Sequence, residues 1–289
     1  MPAPQSGDER GRVASIAAEL GLVHPELTAL SGGLSNRSWR LRDGRRDLVL
    51  RLPGAAAASL GVSHETELAM LAMAARAGLA PAVVFARPAE GLLVTRHVTG
   101  KVLTRAQARR PAMLARIGAW IARLHALAPP AGLAVIDIAA RAASYLDDLV
   151  AREASPLVRV FARQLGELRT GLAPPARLVP CHHDLHHFNL LDTADGLIAL
   201  DWEYAGPGDA AADLAACIGY HDLDARRTNA LLSGYGPEGL RLAGRLAPLA
   251  WIFDCLCYGW MEVAARQGIA ADAARRERLI LRLTARAVA

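Results

Sequence analysis

The chain has 289 residues, of which 53% are hydrophobic and 21% charged, with a formal net charge of +5. That balance excludes a disordered or fibrous chain, and the length leaves ample material for a real core. Lys101 is the only lysine among 33 basic residues, and the arginines are scattered rather than run together, so nucleic acid is not expected as a partner.

Residues 1–12, MPAPQSGDERGR, lack the apolar centre of a signal peptide and read as a disordered tail. Extended segments follow at 26–30, 38–41 and 48–52, punctuated by Gly32-Gly33 and by Asp43-Gly44, a hairpin turn pair. Ser63 is placed as the N-cap of a helix to about residue 77, stopped by Gly78 and Pro81. Two more strands are expected at 82–86 and 92–96. After Gly100 the pattern turns helical. Thr104 and Gln107 fit a capping box, Pro111 suits a first helical turn, and Met113, Ile117, Trp120, Ile121, Leu124 and Leu127 share one helix face.

A second helix is predicted over 139–168, then a compact β and loop region at 178–201, then helices to the end. The most apolar stretch, 246–263, is broken by Pro248, Asp254 and Glu262 and reads as a core helix rather than a membrane span. The four cysteines form no CxxC pair, so reduced thiols in a cytoplasm are expected. The fold class is therefore α+β: a tail at 1–12, a small β-rich N-lobe at 13–98 and a larger helical C-lobe at 99–289.

The chemistry concentrates in residues 181–215, CHHDLHHFNLLDTADGLIALDWEYAGPGDAAADLA. Asp184 is followed five residues later by Asn189, and Asp201 ends the apolar strand 197–200. Phosphoryl transfer from ATP needs one carboxylate near the acceptor hydroxyl and oxygen ligands that hold Mg²⁺ against the phosphates. Asp184 suits the first task, and Asn189 with Asp201 the second; the spacing matches the kinase catalytic loop. His182, His183, His186 and His187 include two i,i+4 pairs, but they sit between strand signals and lack the HExxH glutamate, so zinc is not expected. His182 is read as a hydrogen-bonding partner of the loop backbone, and Asp209 and Asp213 as caps of the next helix.

In the first lobe, the segment from Ser31 to Asn36 joins two strands. Gly32 and Gly33 let backbone approach phosphates, which Ser35 and Asn36 can reach. The phosphate grip needs a cation held by a helix glutamate. No lysine is available there, but Arg51 in LVLRL and Glu67 on the following helix meet both needs.

On these motifs, LSGGLSNRSWRL, LVLRLPG, AWIARLHAL and HHDLHHFNLL…LIALDWEYAGPGDAAADLA, the chain resembles the choline/ethanolamine kinase-like and aminoglycoside phosphotransferase superfamily. The resemblance covers most of the chain and implies a protein-kinase-like two-lobe fold. It implies that Asp184 is the catalytic base, that Asn189 and Asp201 are Mg²⁺ ligands, and that arginine at position 51 is compatible with activity. DWEYAG looks like bacterial choline and thiamine kinases.

A small cationic alcohol is the expected acceptor. Trp202, Glu203 and Tyr204, with Trp251 and Trp260 on a later helix, are candidates for an aromatic and acidic pocket. The alternatives are an aminoglycoside or amino-sugar kinase, a nucleotide-binding pseudokinase or regulatory module, and a histidine-rich metal-binding protein. The sequence leaves the oligomeric state open.

Overall fold

The computed structural model describes residues 7–30, 36–54, 61–152, 155–269 and 272–287. Helix α1 (Gly7–Glu19) precedes strands β1 (Glu26–Leu30), β2 (Asn36–Arg42) and β3 (Asp47–Pro53). Helix α2 (His64–Arg76) then leads to β4 (Val83–Arg87) and β5 (Leu92–Arg96). The five strands form one antiparallel sheet in the order β1-β2-β3-β5-β4.

Alternation along β3 gives the two sheet faces different work. Leu48, Leu50 and Leu52 are buried with Trp39, Leu41, Leu92 and Val94 under Val13, Ile16 and Ala17 of α1. Arg51 falls on the opposite face, toward α2. That helix is capped by the Ser63 side chain, which accepts from Thr66 N, and buries Glu67, Met70, Leu71, Met73 and Ala74.

The chain leaves this sheet at Arg96 and enters β6 (Lys101–Val102), which pairs with residues 191–192 of the second lobe. Helices α3 (Arg105–Ala108), α4 (Pro111–His125), α5 (Ile138–Ala151) and α6 (Pro156–Gly171) follow. The Thr104–Gln107 capping box is present, and Pro111 occupies the first turn of α4. Strands β7 (Val179–Cys181), β8 (Leu190–Thr193), β9 (Gly196–Ala199) and β10 (Gly206–Gly208) make a three-stranded sheet, β6-β8-β9, and a two-stranded one, β10-β7. The chain ends in α7 (Ala210–His221), α8 (Ala225–Tyr235), α9 (Pro237–Arg241), α10 (Ala243–Arg266) and α11 (Ala273–Ala287).

One continuous core joins α2, α4, α5, α6, α7, α8 and α10. Helices α4 and α8 meet at glycines: a Cβ on Gly118 would lie 2.1 Å from Leu231 O, and one on Gly234 2.0 Å from Ala115 O. Only hydrogen at both positions lets the two backbones approach this closely.

Three expectations need correction. Residues 7–12 are not a tail: they open α1, and Glu9 accepts from Trp39 Nε1 at 3.0 Å, which ties the helix to the sheet. The single helix expected over 139–168 is two, because Pro156 starts α6 and Ser155 caps it. Trp202 and Trp251 are core residues: their indole N–H groups donate to Ala199 O at 3.0 Å and Leu283 O at 3.4 Å, and both rings are buried. Cys181, Cys217, Cys255 and Cys257 are buried and unpaired. No helix among the described residues is long and apolar enough to cross a membrane.

Candidate active site

The geometry of the site follows from one hairpin. Strands β8 and β9 pair Leu190 with Ala199, so the residues just outside that pair become neighbours. Leu200 N donates to Asn189 O at 2.8 Å. Asn189 and Asp201, twelve positions apart in the chain, thereby lie at the same end of one hairpin. Asp201 adopts φ 57°, a left-handed conformation rare outside glycine, immediately after the strand. Asn189 Nδ2 donates to Asp184 O and to Asp184 Oδ2, both at 2.9 Å, which brings the third polar residue to the same place.

The loop that carries Asp184 is held from behind. His182 is wholly buried; its Nε2–H donates to Leu200 O at 2.9 Å, which leaves Nδ1 to accept from Asp184 N at 3.3 Å. Trp202 packs against the His182 ring with centroids 4.8 Å apart, and Trp120 lies 6.4 Å away on another side. His182 and Trp202 thus position the loop.

Asp213, read from sequence as a cap, has a different task. Asp209 is the N-cap of α7, accepting from Ala211 N, whereas Asp213 turns inward and is fully buried. It accepts from His182 N at 2.8 Å, His183 N at 2.6 Å and His125 Nε2 at 3.1 Å. Burial pushes its carboxyl up, but the His125 hydrogen bond and the charges and N–H groups around it outweigh that and leave it at about 2. An Asp one turn into a helix, after an Asp that already caps it, is the signal that marks it for other work.

His125, Cys181 and Asp213 are the one group of potential metal ligands that meet within 4.8 Å among the described residues. His125 Nδ1 is taken by the Tyr235 hydroxyl at 3.0 Å, and Cys181 Sγ donates to backbone carbonyls, so this group is a hydrogen-bonded support for the loop. Of the two i,i+4 histidine pairs, His182 and His183 are buried, while His186 and His187 are half-buried, and His186 Nε2 lies 3.6 Å from Asp184 Oδ2.

Across from the hairpin, Arg51 and Glu67 form a bidentate ion pair, each Nη bonded to one carboxylate oxygen. Both side chains are largely buried, and Arg51 Nη1 also lies 3.6 Å from Asp201 Oδ1. Asn36 Nδ2 donates to Glu203 Oε2 at 2.7 Å and bridges the two lobes. Gly32, Gly33 and Ser35 lie outside the described residues.

The carboxylates bear on whether a cation fits. Asp201 Oδ1 is buried and accepts no hydrogen bond. Burial and the charges of Glu203 and Asp184 push the Asp201 carboxyl well above the usual range, against the pull of Arg51. A divalent cation relieves both the orphaned oxygen and the repulsion, and the oxygen donors of Asp201 and Asn189 suit Mg²⁺. Asp184 is also raised by burial, opposed by a hydrogen bond from Tyr220, which suits a proton acceptor.

Beside this centre, Tyr204 and Trp260 meet through Trp260 Nε1, which donates to Tyr204 Oη at 2.9 Å. Gly259 lets α10 pack closely on Tyr145, where a Cβ would come within 2.5 Å of the tyrosine Cβ. Arg141 lies over the Tyr204 ring, 5.7 Å from its centroid. Tyr204, Glu203 and Trp260 therefore gather at one wall of the site, without Trp202 and Trp251. Tyr145, Tyr220 and Arg275 are additional residues of this region that no sequence motif marked.

A model described as the phosphotransferase enzyme family matches residues 26–249. Thiamine kinase of Escherichia coli is 51% identical over 57 residues, 19% of this chain and 21% of that protein, so the match spans about a fifth of the relative's length. Among solved structures, a choline/ethanolamine kinase family protein from Mesorhizobium loti is similar over 94% of both chains, with TM-score 0.75 and 25% identity. Choline kinase LicA from Streptococcus pneumoniae, also solved in complex with AMP, is similar in fold over 98% of this chain and 99% of its own, with TM-score 0.79 and 16% identity. With a family match over most of its length and a two-lobe kinase-like fold, the chain belongs to the phosphotransferase enzyme family.

Proposed function

We propose that the protein transfers a phosphoryl group from Mg·ATP to the hydroxyl of a small, cationic alcohol of the choline or thiamine type. The observation that carries this reading is the hairpin that sets Asn189 and Asp201 beside Asp184, facing the buried Arg51–Glu67 pair.

Asp184 orients the acceptor hydroxyl and takes its proton as transfer proceeds in line. Arg51, aimed by Glu67, holds the phosphates, with Gly32, Gly33, Ser35 and Asn36 as further nucleotide-binding residues. Asn189 and Asp201 would hold Mg²⁺, which when bound neutralises charge developing on the phosphates. The acceptor's cationic head rests at the wall of Glu203, Tyr204, Trp260 and Tyr145. The buried carboxylate of Glu203 at that wall supports this, since it offers a cation an opposite charge beside the rings.

An ADP-release assay with Mg·ATP against choline, ethanolamine, thiamine, kanamycin and amino sugars tests the reading. Turnover with choline or thiamine and not with the sugars upholds it. Turnover with kanamycin or an amino sugar alone retains phosphoryl transfer and overturns the acceptor. Full activity in Asp184→Asn or Asp201→Ala would overturn the mechanism.

A further inference from the structure

Tyr220 stands in the last turn of α7, outside every motif that marked the site. Its hydroxyl donates to Asp184 Oδ1 at 2.6 Å, while Asn189 Nδ2 holds Oδ2 at 2.9 Å. Both oxygens of Asp184 are thus tied by side chains from different elements, and together they set the plane of the carboxylate. Burial pushes the Tyr220 phenol well above its ordinary value, so it remains a donor.

The tyrosine is itself held. Phe253 of α10 packs edge-on against it with centroids 5.0 Å apart, and His186 lies 5.1 Å away on another side. Arg275, in the first turn of α11, lies over the phenol ring with its guanidinium carbon 4.5 Å from the centroid. Its Nη2 reaches Cys257 Sγ at 3.5 Å, and its charge acts on both Tyr220 and Asp184. A guanidinium over an aromatic ring draws electron density from the ring and strengthens its O–H as a donor.

We propose that Tyr220, backed by Arg275, is the positioning residue for Asp184, fixing one carboxylate oxygen so that a remaining lone pair faces the acceptor hydroxyl. The proposal rests on Asp184 acting as the base, the reading given above. It names a contact between α7, α11 and the loop that the phosphate-binding half of the site does not need. Each carboxylate oxygen has two lone pairs, so the tyrosine bond and a substrate bond are compatible. In-line transfer is sensitive to such aim, because a displacement of about 1 Å costs on the order of 100-fold in rate.

Tyr220→Phe keeps the ring and the arginine stacking and removes only the hydroxyl. Its kcat should fall by about 10- to 100-fold while KM for Mg·ATP and for the acceptor stays within about twofold, a split that a merely structural role would not produce. Arg275→Met should lower kcat less, and Arg275→Lys should recover part of the loss. A Tyr220→Phe enzyme with wild-type kcat overturns the proposal and leaves the phosphotransferase reading intact. If no alcohol is turned over, that reading fails by itself, and a thermal double-mutant cycle of Tyr220→Phe with Asp184→Asn still decides the contact. Melting shifts that fail to add uphold the pairing, and additive shifts overturn it.

Discussion

Asp213 and His182 lie 31 residues apart, and the buried carboxylate of the first accepts the backbone N–H of the second at 2.8 Å. His183 N donates to the other oxygen at 2.6 Å, so one side chain of α7 fixes two consecutive peptides of the loop that presents Asp184. The loop's shape is therefore set from the helical core.

Replacement of Asp213 by Asn removes the charge and forces one amide N–H toward a donor. The loss of charge-assisted bonds from two peptides and His125 should cost about 3 kcal/mol or more of stability. Differential scanning calorimetry reads this directly. An unchanged melting temperature would show that the loop holds itself.

The Arg51–Glu67 pair is buried, with side chains only 11% and 3% exposed. Glu67→Ala leaves a guanidinium in the interior without its partner, which costs about 3–5 kcal/mol. Arg51→Lys keeps the charge but loses the planar fork, so it should retain folding and raise KM for ATP. Equilibrium urea unfolding together with ATP kinetics separates the two effects. A Glu67→Ala protein as stable as the parent would refute the burial argument.

Asp201 carries a cost in the unliganded protein, since Oδ1 lacks a hydrogen bond and Glu203 repels it. Asp201→Asn should raise the melting temperature without ligand, yet abolish the further rise that Mg·ATP brings. Thermal shifts with ATP, with and without Mg²⁺, test both halves. A loss of stability without ligand would contradict the sign.

Burial holds the imidazoles of His183 and His221 down to about 4. Their unfolded-state value is about 6.5, so the unfolded chain takes up these protons first as the solution is acidified. Stability is fully present above about pH 6.5 and is lost as pH falls toward 4, by about 3 kcal/mol for each group at the lower limit. Urea midpoints at several pH values between 7.5 and 5 should decline, and His221→Gln should flatten the slope. A midpoint independent of pH in that range would exclude the effect.

The contact of α4 with α8 allows a test of packing remote from the site. Gly118→Ala would place a methyl group 2.1 Å from Leu231 O, which only separation of the helices can relieve. The expected loss is about 1–3 kcal/mol, measured by denaturant unfolding. A neutral result would mean that the helices separate at little cost.

The legible parts of the fold were those with local causes. β1 and β5 have the expected bounds, and Ser63, Thr104 and Pro111 start their helices where capping chemistry places them. Helix α1 was missed because its stabilisation comes from the sheet it covers: Val13, Ile16 and Ala17 find their partners on β2, β3 and β5. The break before α6 has a local cause, Pro156 with Ser155 as its cap, which a reading by helical periodicity alone passes over.

The sequence by itself determined the kinds of group present and those joined by local spacing. Asp184, Asn189 and Asp201 lie within eighteen consecutive residues around a single hairpin, and strand alternation sends Arg51 to the face that meets α2. Only the tertiary structure decided which aromatic rings could meet a ligand. Trp202, Tyr204, Trp251 and Trp260 look alike in a string, yet Trp202 and Trp251 spend their indole N–H groups on buried carbonyls, while Trp260 meets Tyr204 at the wall of the site. Likewise Tyr220 and Arg275, 55 positions apart, become neighbours of Asp184 only through the packing of α7, α10 and α11. Hydrogen bonds within a turn or hairpin are fixed by nearby residues; burial and contacts between distant helices depend on the whole core, which no local pattern specifies.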